Sequence, residues 1–444
     1  MDGLLYACIS KNLSEGLGSF WHPHFSTTLY SFFDQQPPLG FGIQSLFFKL
    51  FGDSIYVERL YSFLSALITS GLIIVLWRII FKNENEIKKL SWLPVLFWIT
   101  IPVCFWAYSN NMLENTMGIF DLFAIIFLIR FFQNQSLGWI ILSGIFIFLA
   151  SLTKGFQGMF PFAAVFLGWL IYKNISLRKM LVASLALLLV PFLIYFLLMK
   201  SDSAHQSLSA YMNNRVLNSI QNAEEISSRF YLLMRMLSEL LPLIILSVSI
   251  AAIAKWKIKK ENKGVLFFKK HILFLLLIGM SASFPLMITM EQRGFYLVTS
   301  FPYYAISLAV ISAPWLSYWI EKINVQRVSF RIFRIISILS LVVVFAFSFL
   351  EIGKPSRDAD MIHDVHLIGK SVPKETILGS TKELWKVWPL QEYLVRHYYI
   401  CQDAGILPKH DYLLLESENQ LPSDIKTEKV NIQTIKYHLY KVIK

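Results

Sequence analysis

A chain of 444 residues that is 55% hydrophobic and only 16% charged, with a mean hydropathy of +0.53, is too apolar for a soluble enzyme and reads as membrane-embedded. Its formal net charge of +12 lies largely in short loops between apolar stretches. There Lys and Arg mark topology and meet anionic headgroups, which speaks against nucleic-acid binding.

In chain order, the segment before Tyr56 opens with an amphipathic helix from Asp2 through Asn12 to Leu17 and continues into an aromatic loop, Phe20, Trp21, Phe25, Tyr30, Phe32 and Phe33, suited to headgroup depth. About ten apolar crossings follow, predicted at Tyr56–Ile80, Ser91–Tyr108, Thr116–Phe132, Leu137–Thr153, Gly158–Tyr172, Met180–Met199, Tyr231–Ala254, His271–Met290, Tyr296–Ile320 and Ile335–Leu350. The basic connectors hold Lys82, Lys88 and Lys89, then Arg130, then Lys173, Arg178 and Lys179, then Lys255 to Lys270, then Lys322 to Arg334. They fall on every second crossing and are therefore cytoplasmic. The N-terminal segment, Lys200–Arg229, the Glu291-Gln292-Arg293 link and everything after Glu351 then face outward, and so do most groups capable of chemistry. An outward segment before Tyr56 needs a way across the bilayer, so one more transmembrane helix is expected upstream of Met1.

After Glu351 the composition turns to mixed charged and β-branched residues, enough for a small outer α/β domain. Strands are expected at Thr376–Gly379, Tyr412–Glu416 and Tyr437–Ile443, and helices at Ala359–Lys370 and Glu383–Tyr399. The expected division is an outer loop with juxtamembrane helices over 1–55, a transmembrane domain over 56–351 and a soluble domain over 352–444. Cys8, Cys104 and Cys401 are odd in number and scattered, so they imply no disulfide framework and read as apolar fillers.

The N-terminal succession is the most specific pattern: Asp2-Gly3-Leu4-Leu5-Tyr6-Ala7, Trp21-His22-Pro23-His24, Asp34-Gln35-Gln36-Pro37-Pro38-Leu39, Phe51-Gly52 and Glu58-Arg59-Leu60. It resembles the first outer loop of the C-type (GT-C) glycosyltransferases, which take sugars from polyprenyl-phosphate carriers, and within them the bacterial protein O-mannosyltransferase and lipid A aminoarabinose transferase group. Met112-Leu113-Glu114-Asn115, Leu152-Thr153-Lys154-Gly155 and Arg293-Gly294-Phe295-Tyr296-Leu297 with Pro302 extend the resemblance over most of the membrane region. One departure stands out. Where many relatives carry Glu-Lys before Pro-Pro-Leu, this chain has Gln35-Gln36, so a cation for the donor phosphate is missing there.

The resemblance implies a polytopic all-α membrane glycosyltransferase, a hexosyl- or pentosyltransferase, at the outer face of the cytoplasmic membrane of a bacterial envelope. Its partners would be the bilayer, a polyprenyl-phosphate sugar and a lipid, glycan or protein hydroxyl. Such a transfer builds positive character at the anomeric carbon and negative charge on the departing phosphate while the acceptor loses a proton. Asp2 is the expected base, although Asp also suits a helix N-terminus, and Glu114 the second functional carboxylate. Tyr6, Gln36, Pro37, Lys154, Arg293 and Tyr296 are the expected substrate contacts. Long cations at helix ends also snorkel toward headgroups, which is the competing role for Lys154 and Arg293. Asp121 lies seven positions after Glu114 on the same helical face and must look into the bundle or a polar groove. His22 and His24 are weak metal candidates and the only hint of a divalent cation. A transporter or flippase is the rival class, opposed by the gathering of polar residues at the outer mouth, the lack of two matching halves and the outer domain.

Overall fold

A computed structural model describes residues 2–218, 230–257, 268–288, 291–355, 357–406 and 409–443. The chain forms two compact units, residues 1–25 with 29–317 and residues 26–28 with 318–444. Parts of the expected connectors Lys200–Arg229 and Lys255–Lys270, and the expected span end at Met290, lie outside the described residues.

Inside a bilayer each backbone N–H and C=O must be satisfied within its own segment, so the apolar runs of the first unit become helices. After α1 (Asp2–Ser14) and α2 (Leu39–Phe51) come α3 (Val57–Ile80), a short α4 (Asn85–Lys89), α5 (Trp92–Ile99), α6 (Pro102–Ser109) and α7 (Leu113–Asn134). They are followed by α8 (Leu137–Lys154), α9 (Ala163–Tyr172), α10 (Leu177–Leu198), α11 (Asp202–Ala210), α12 (Tyr231–Lys257), α13 (Lys269–Ser283) and α14 (Phe301–Glu321). Shorter-pitch or wider turns connect them at Gly155–Phe162, Tyr211–Leu217, Pro285–Met287 and Gly294–Thr299. α7 and α14 are the innermost helices, and α14 buries residues on every side from Phe301 to Ala313.

Two crossings differ in detail from the sequence reading. The expected span Ser91–Tyr108 breaks into α5 and α6, bent by 79°. Pro102 supplies no N–H and forces Ile101 into an extended conformation with φ −73° and ψ 118°, so the helix cannot run through. The N-terminus of α6 exposed by the break is satisfied by Glu239, whose carboxylate accepts the Val103 N–H at 3.0 Å and pairs with Arg235 at 2.6 Å.

The apolar stretch Leu137–Tyr172 is continuous by composition and length, yet it crosses twice. Asn174 Nδ2 donates to the Phe132 carbonyl at 2.7 Å and Gln135 Nε2 donates to the Asn174 carbonyl at 3.1 Å, so the chain returns to the end it left. The returning leg, one turn type of eight residues and a helix of ten, reaches about 30 Å, the thickness of a hydrocarbon core. Among the described residues seven helices meet the length and apolarity of a membrane span and the bent pair adds an eighth. With the second leg of this hairpin the described residues reach nine such crossings against about ten expected, since the enclosed α14 is not among the helices apolar enough to count.

The second unit contains α15 (Val328–Leu350), an apolar helix none of whose residues is buried, as suits contact with lipid. Beyond it lies an α/β domain with α16 (Ala359–Ser371), α17 (Lys382–Trp385) and α18 (Trp388–Tyr398). Among the described residues its strands are β1 (Ile377–Ser380), β2 (Cys401–Ala404), β3 (Tyr412–Leu415), β4 (Thr427–Lys429) and β5 (His438–Val442), in the order β2-β1-β3-β5-β4. β1 runs parallel to β2 and β3, while β5 is antiparallel to β3 and β4. Val365, Ile368, Leu378, Leu384, Leu394 and Leu414 close its core. The helix expected over Glu383–Tyr399 divides at Val387, because Pro389 fits only a first turn.

Candidate active site

The site assembles from the N-terminal ends of α1 and α7 and the C-terminal end of α8. Gly3 explains how α1 arrives there: its α-carbon sits so close to the Asn110 carbonyl that any side chain would overlap it. Asn111 Nδ2 donates to the Gly3 carbonyl at 3.0 Å. Asp2, exposed in the first turn of α1, is thereby fixed beside the loop that leads into Glu114. Asn115 locks the start of α7 from below, donating to the Ala107 carbonyl at 3.0 Å.

Glu114 is fully buried and forms an ion pair through Oε1 with Lys154, whose side chain is only 5% exposed. The cation also lies 5.4 Å from the Phe295 ring centre and 5.1 Å from that of Tyr296, an arrangement that compensates a desolvated ammonium. Snorkelling toward headgroups is therefore not what Lys154 does. α8 ends at Gly155, whose φ of +73° is one that few side chains tolerate. A Cβ there would also overlap the Tyr211 hydroxyl. Pro37 and Pro38 are buried and Gln36 half-buried where the chain enters α2, which sets Gly40 against Leu113 and Thr153, neighbours of the paired charges.

A second group of charges faces this pair. Arg215 bonds Glu291 at 2.6 Å, and Arg293 reaches the other oxygen of the same carboxylate at 3.5 Å. The segment carrying Tyr296 is held by Gln157 Nε2, which donates to the Tyr296 carbonyl at 2.6 Å, and by stacking of Phe295 on Trp106 at 5.7 Å. Arg235 lies along Gly294, with Nε 3.3 Å from where a Cβ would stand.

Tyr6 shows that these groups share one locale. Burial pushes its hydroxyl well above the usual range, the charges of Asp2 and Glu114 push it further, and Arg215 opposes them. The phenol is accordingly a neutral hydrogen-bond donor at any physiological pH. For Arg215, partial burial works against the charge and the Glu291 carboxylate more than restores it.

Asp2, Tyr6, Glu114, Lys154 and Tyr296 thus come together, with Arg293 joined to them through Glu291. Asp121 lies deeper, fully buried in α7. His22 and His24 diverge, one ring toward Gln206 Oε1 at 3.2 Å and the other toward the Ser31 carbonyl at 2.9 Å. Among the described residues no three His, Cys, Asp or Glu side chains gather as metal ligands. Sequence reasoning did not single out Arg215, which lies 76 positions from its carboxylate partner. The available signal was a lone cation amid Asn213, Asn214 and Tyr211 on the basic-poor side. It also passed over Glu239, whose role depends on the break at Pro102.

The same architecture occurs in solved structures. ArnT from Cupriavidus metallidurans bound to undecaprenyl phosphate superposes with a TM-score of 0.65 at 14% identity, covering 99% of this chain and 93% of that one. Its apo state gives 0.64 at 15% identity, with 99% and 92% covered. The chain has the GT-C fold. The apo Archaeoglobus fulgidus oligosaccharyltransferase is a more distant GT-C match, with a TM-score of 0.51 at 12% identity, covering 91% of this chain and 60% of that larger protein. Residues 35–199, less than half of the chain, match the family model described as dolichyl-phosphate-mannose-protein mannosyltransferase. No curated protein matches the sequence significantly. The resemblance read from the N-terminal, Glu114, Lys154 and Arg293 motifs is thus matched by the fold, and the protein is a multi-pass membrane protein.

Proposed function

We propose that this GT-C protein transfers a sugar from a polyprenyl-phosphate carrier to a hydroxyl of an envelope lipid, glycan or protein, with inversion, at the outer face of the cytoplasmic membrane. The observation that carries the reading is the meeting of an exposed carboxylate, Asp2, with a buried Glu114–Lys154 pair and the Arg215–Glu291–Arg293 group around Tyr6 and Tyr296. The ArnT structure with undecaprenyl phosphate supports a lipid-phosphate donor.

In the proposed step the acceptor oxygen bonds the anomeric carbon as the bond from that carbon to the phosphate oxygen breaks. Asp2 takes the acceptor's proton, and the carrier phosphate leaves as an anion facing Arg215 and Arg293. Tyr6 donates a hydrogen bond to the same charge. Glu114 is held by Lys154 through one oxygen, while the other has no hydrogen-bond partner among the described residues and is available to the sugar or the acceptor. The cation missing at Gln36 is replaced from another direction. Asn214 Nδ2 donates to Asp34 Oδ2 at 2.6 Å, which ties the segment bearing Arg215 to the edge where Gln35 and Gln36 lie.

The test is transfer from a polyprenyl-phosphate sugar by the purified full-length protein in lipid nanodiscs. Asp2→Asn keeps size and helix-starting ability but removes the base, so the rate is expected to fall by about 10²–10⁴ while donor binding persists. Full activity in this variant would remove Asp2 from the mechanism.

A further inference from the structure

Two turns below Glu114, on the same face of α7, Asp121 is wholly enclosed, and neither of its carboxylate oxygens has a hydrogen-bond partner among the described residues. Two hydroxyls of the chain stretch that packs against this helix from residue 294 onward share that condition. Thr299 Oγ1 and the Tyr303 hydroxyl are both buried and without a hydrogen-bond partner among the described residues. Thr299 Cγ2 lies 3.4 Å from the position of a Cβ on Gly118, one turn above Asp121, and Tyr303 is within electrostatic reach of the Asp121 carboxylate. A charge within a span normally finds a counter-charge or an ion, and the Asp121 carboxylate is paired with no Lys, Arg or His of the described residues.

A ligand that lets Asp121 stay ionised must bring positive charge, since a buried carboxyl without one takes up a proton instead. Water alone bonds the carboxylate and both hydroxyls but leaves the carboxylate uncompensated. A divalent ion would leave one excess positive charge in a low-dielectric interior. Oxygen donors only, with a single negative charge, match a hard ion of charge one.

We propose that Asp121, Thr299 and Tyr303 bind a monovalent metal cation of the sodium type inside the helix bundle. The ion ties α7, which carries Glu114 at its outer end, to the segment 294–303, which carries Tyr296. It therefore fixes the distance between two walls of the mouth from beneath, and this holds whatever reaction the mouth performs.

The experiment is thermal unfolding of the full-length protein in nanodiscs, with sodium chloride exchanged for N-methylglucamine chloride at constant ionic strength. The wild-type unfolding temperature is expected to rise saturably with sodium, by about 2–4 °C. Asp121→Asn is expected to abolish the rise, and Thr299→Val and Tyr303→Phe to raise the half-saturating sodium concentration by about 3-fold or more. If Asp121→Asn does not fold, the two hydroxyl variants decide the matter by that shift. An unfolding temperature identical in sodium and N-methylglucamine overturns the site, as does a sodium response retained in Asp121→Asn. A response to pH alone, lost in Asp121→Asn, assigns the place to a proton with water and equally overturns the metal.

Discussion

Each cation at the mouth is compensated to a different degree, and this ranks them as candidate ligands of the proposed donor phosphate. Lys154 is neutralised by Glu114 and covered by two rings, and Arg235 is neutralised by Glu239. Arg215 and Arg293 share the carboxylate of Glu291, so among these described groups this one keeps a net positive charge. Within it Arg215 is the more enclosed, with its side chain 33% exposed against 61% for Arg293, and enclosed charges are screened less. Arg215→Ala is therefore expected to raise the donor KM or lower transfer by about 10²-fold, and Arg293→Ala by about 10-fold or less. Arg215→Lys should recover part of the loss, since a point charge partly replaces a forked one. Initial rates over a range of donor concentrations measure all three variants. A larger defect in Arg293→Ala than in Arg215→Ala would reverse the ranking. Arg293 was legible because it sits inside a local motif, whereas Arg215 acquires meaning only when a distant turn brings it to Glu291.

Secondary elements were legible where periodicity runs long and obscure where a few residues decide. The helix over Ala359–Ser371 and strands at residues 377–380, 412–415 and 438–442 fall close to their expected places. β2 (Cys401–Ala404) and β4 (Thr427–Lys429) did not declare themselves, because three or four residues give no alternation to read and their pairing partners lie far along the chain. Asp364 was silent for a related reason. On α16 it looks like one more surface carboxylate, yet it is fully buried and accepts the N–H groups of Ile435, Lys436 and Tyr437 at 2.8, 2.7 and 3.1 Å. Three charge-assisted bonds fix the approach to β5, so Asp364→Ala leaves three donors unmatched, of which the Tyr437 N–H is buried, and is expected to cost about 2–3 kcal/mol. Limited proteolysis of the α/β domain reads this directly. Cleavage between Ile435 and Val442 at the wild-type rate would mean that the bonds contribute little.

At the scale of the whole molecule, the alternation of basic connectors against apolar runs was sufficient to read a many-spanned membrane protein, because lipid imposes the same rule on each crossing. The internal hairpin at Gly155 and the bend at Pro102 are local departures within that pattern. The orientation proposed from the same alternation has the mouth with Asp2 and Glu114 on the outer side and Arg130, Arg178 and Lys179 inside. α10 offers a clean test, since its 22 residues rise about 33 Å, with Arg178 near one end and Ser201 just past the other. The native cysteines Cys8, Cys104 and Cys401 are buried, so they compete little for a membrane-impermeant maleimide. Ser201→Cys is expected to react in intact cells, and Arg178→Cys only after the membrane is permeabilised. Labelling of both from outside would break the alternation itself. Labelling of Arg178→Cys alone would invert the molecule and place the mouth in the cytoplasm, where a carrier-linked sugar would have to be used before it crosses the membrane, and the proposed outer-face reaction would fall with it.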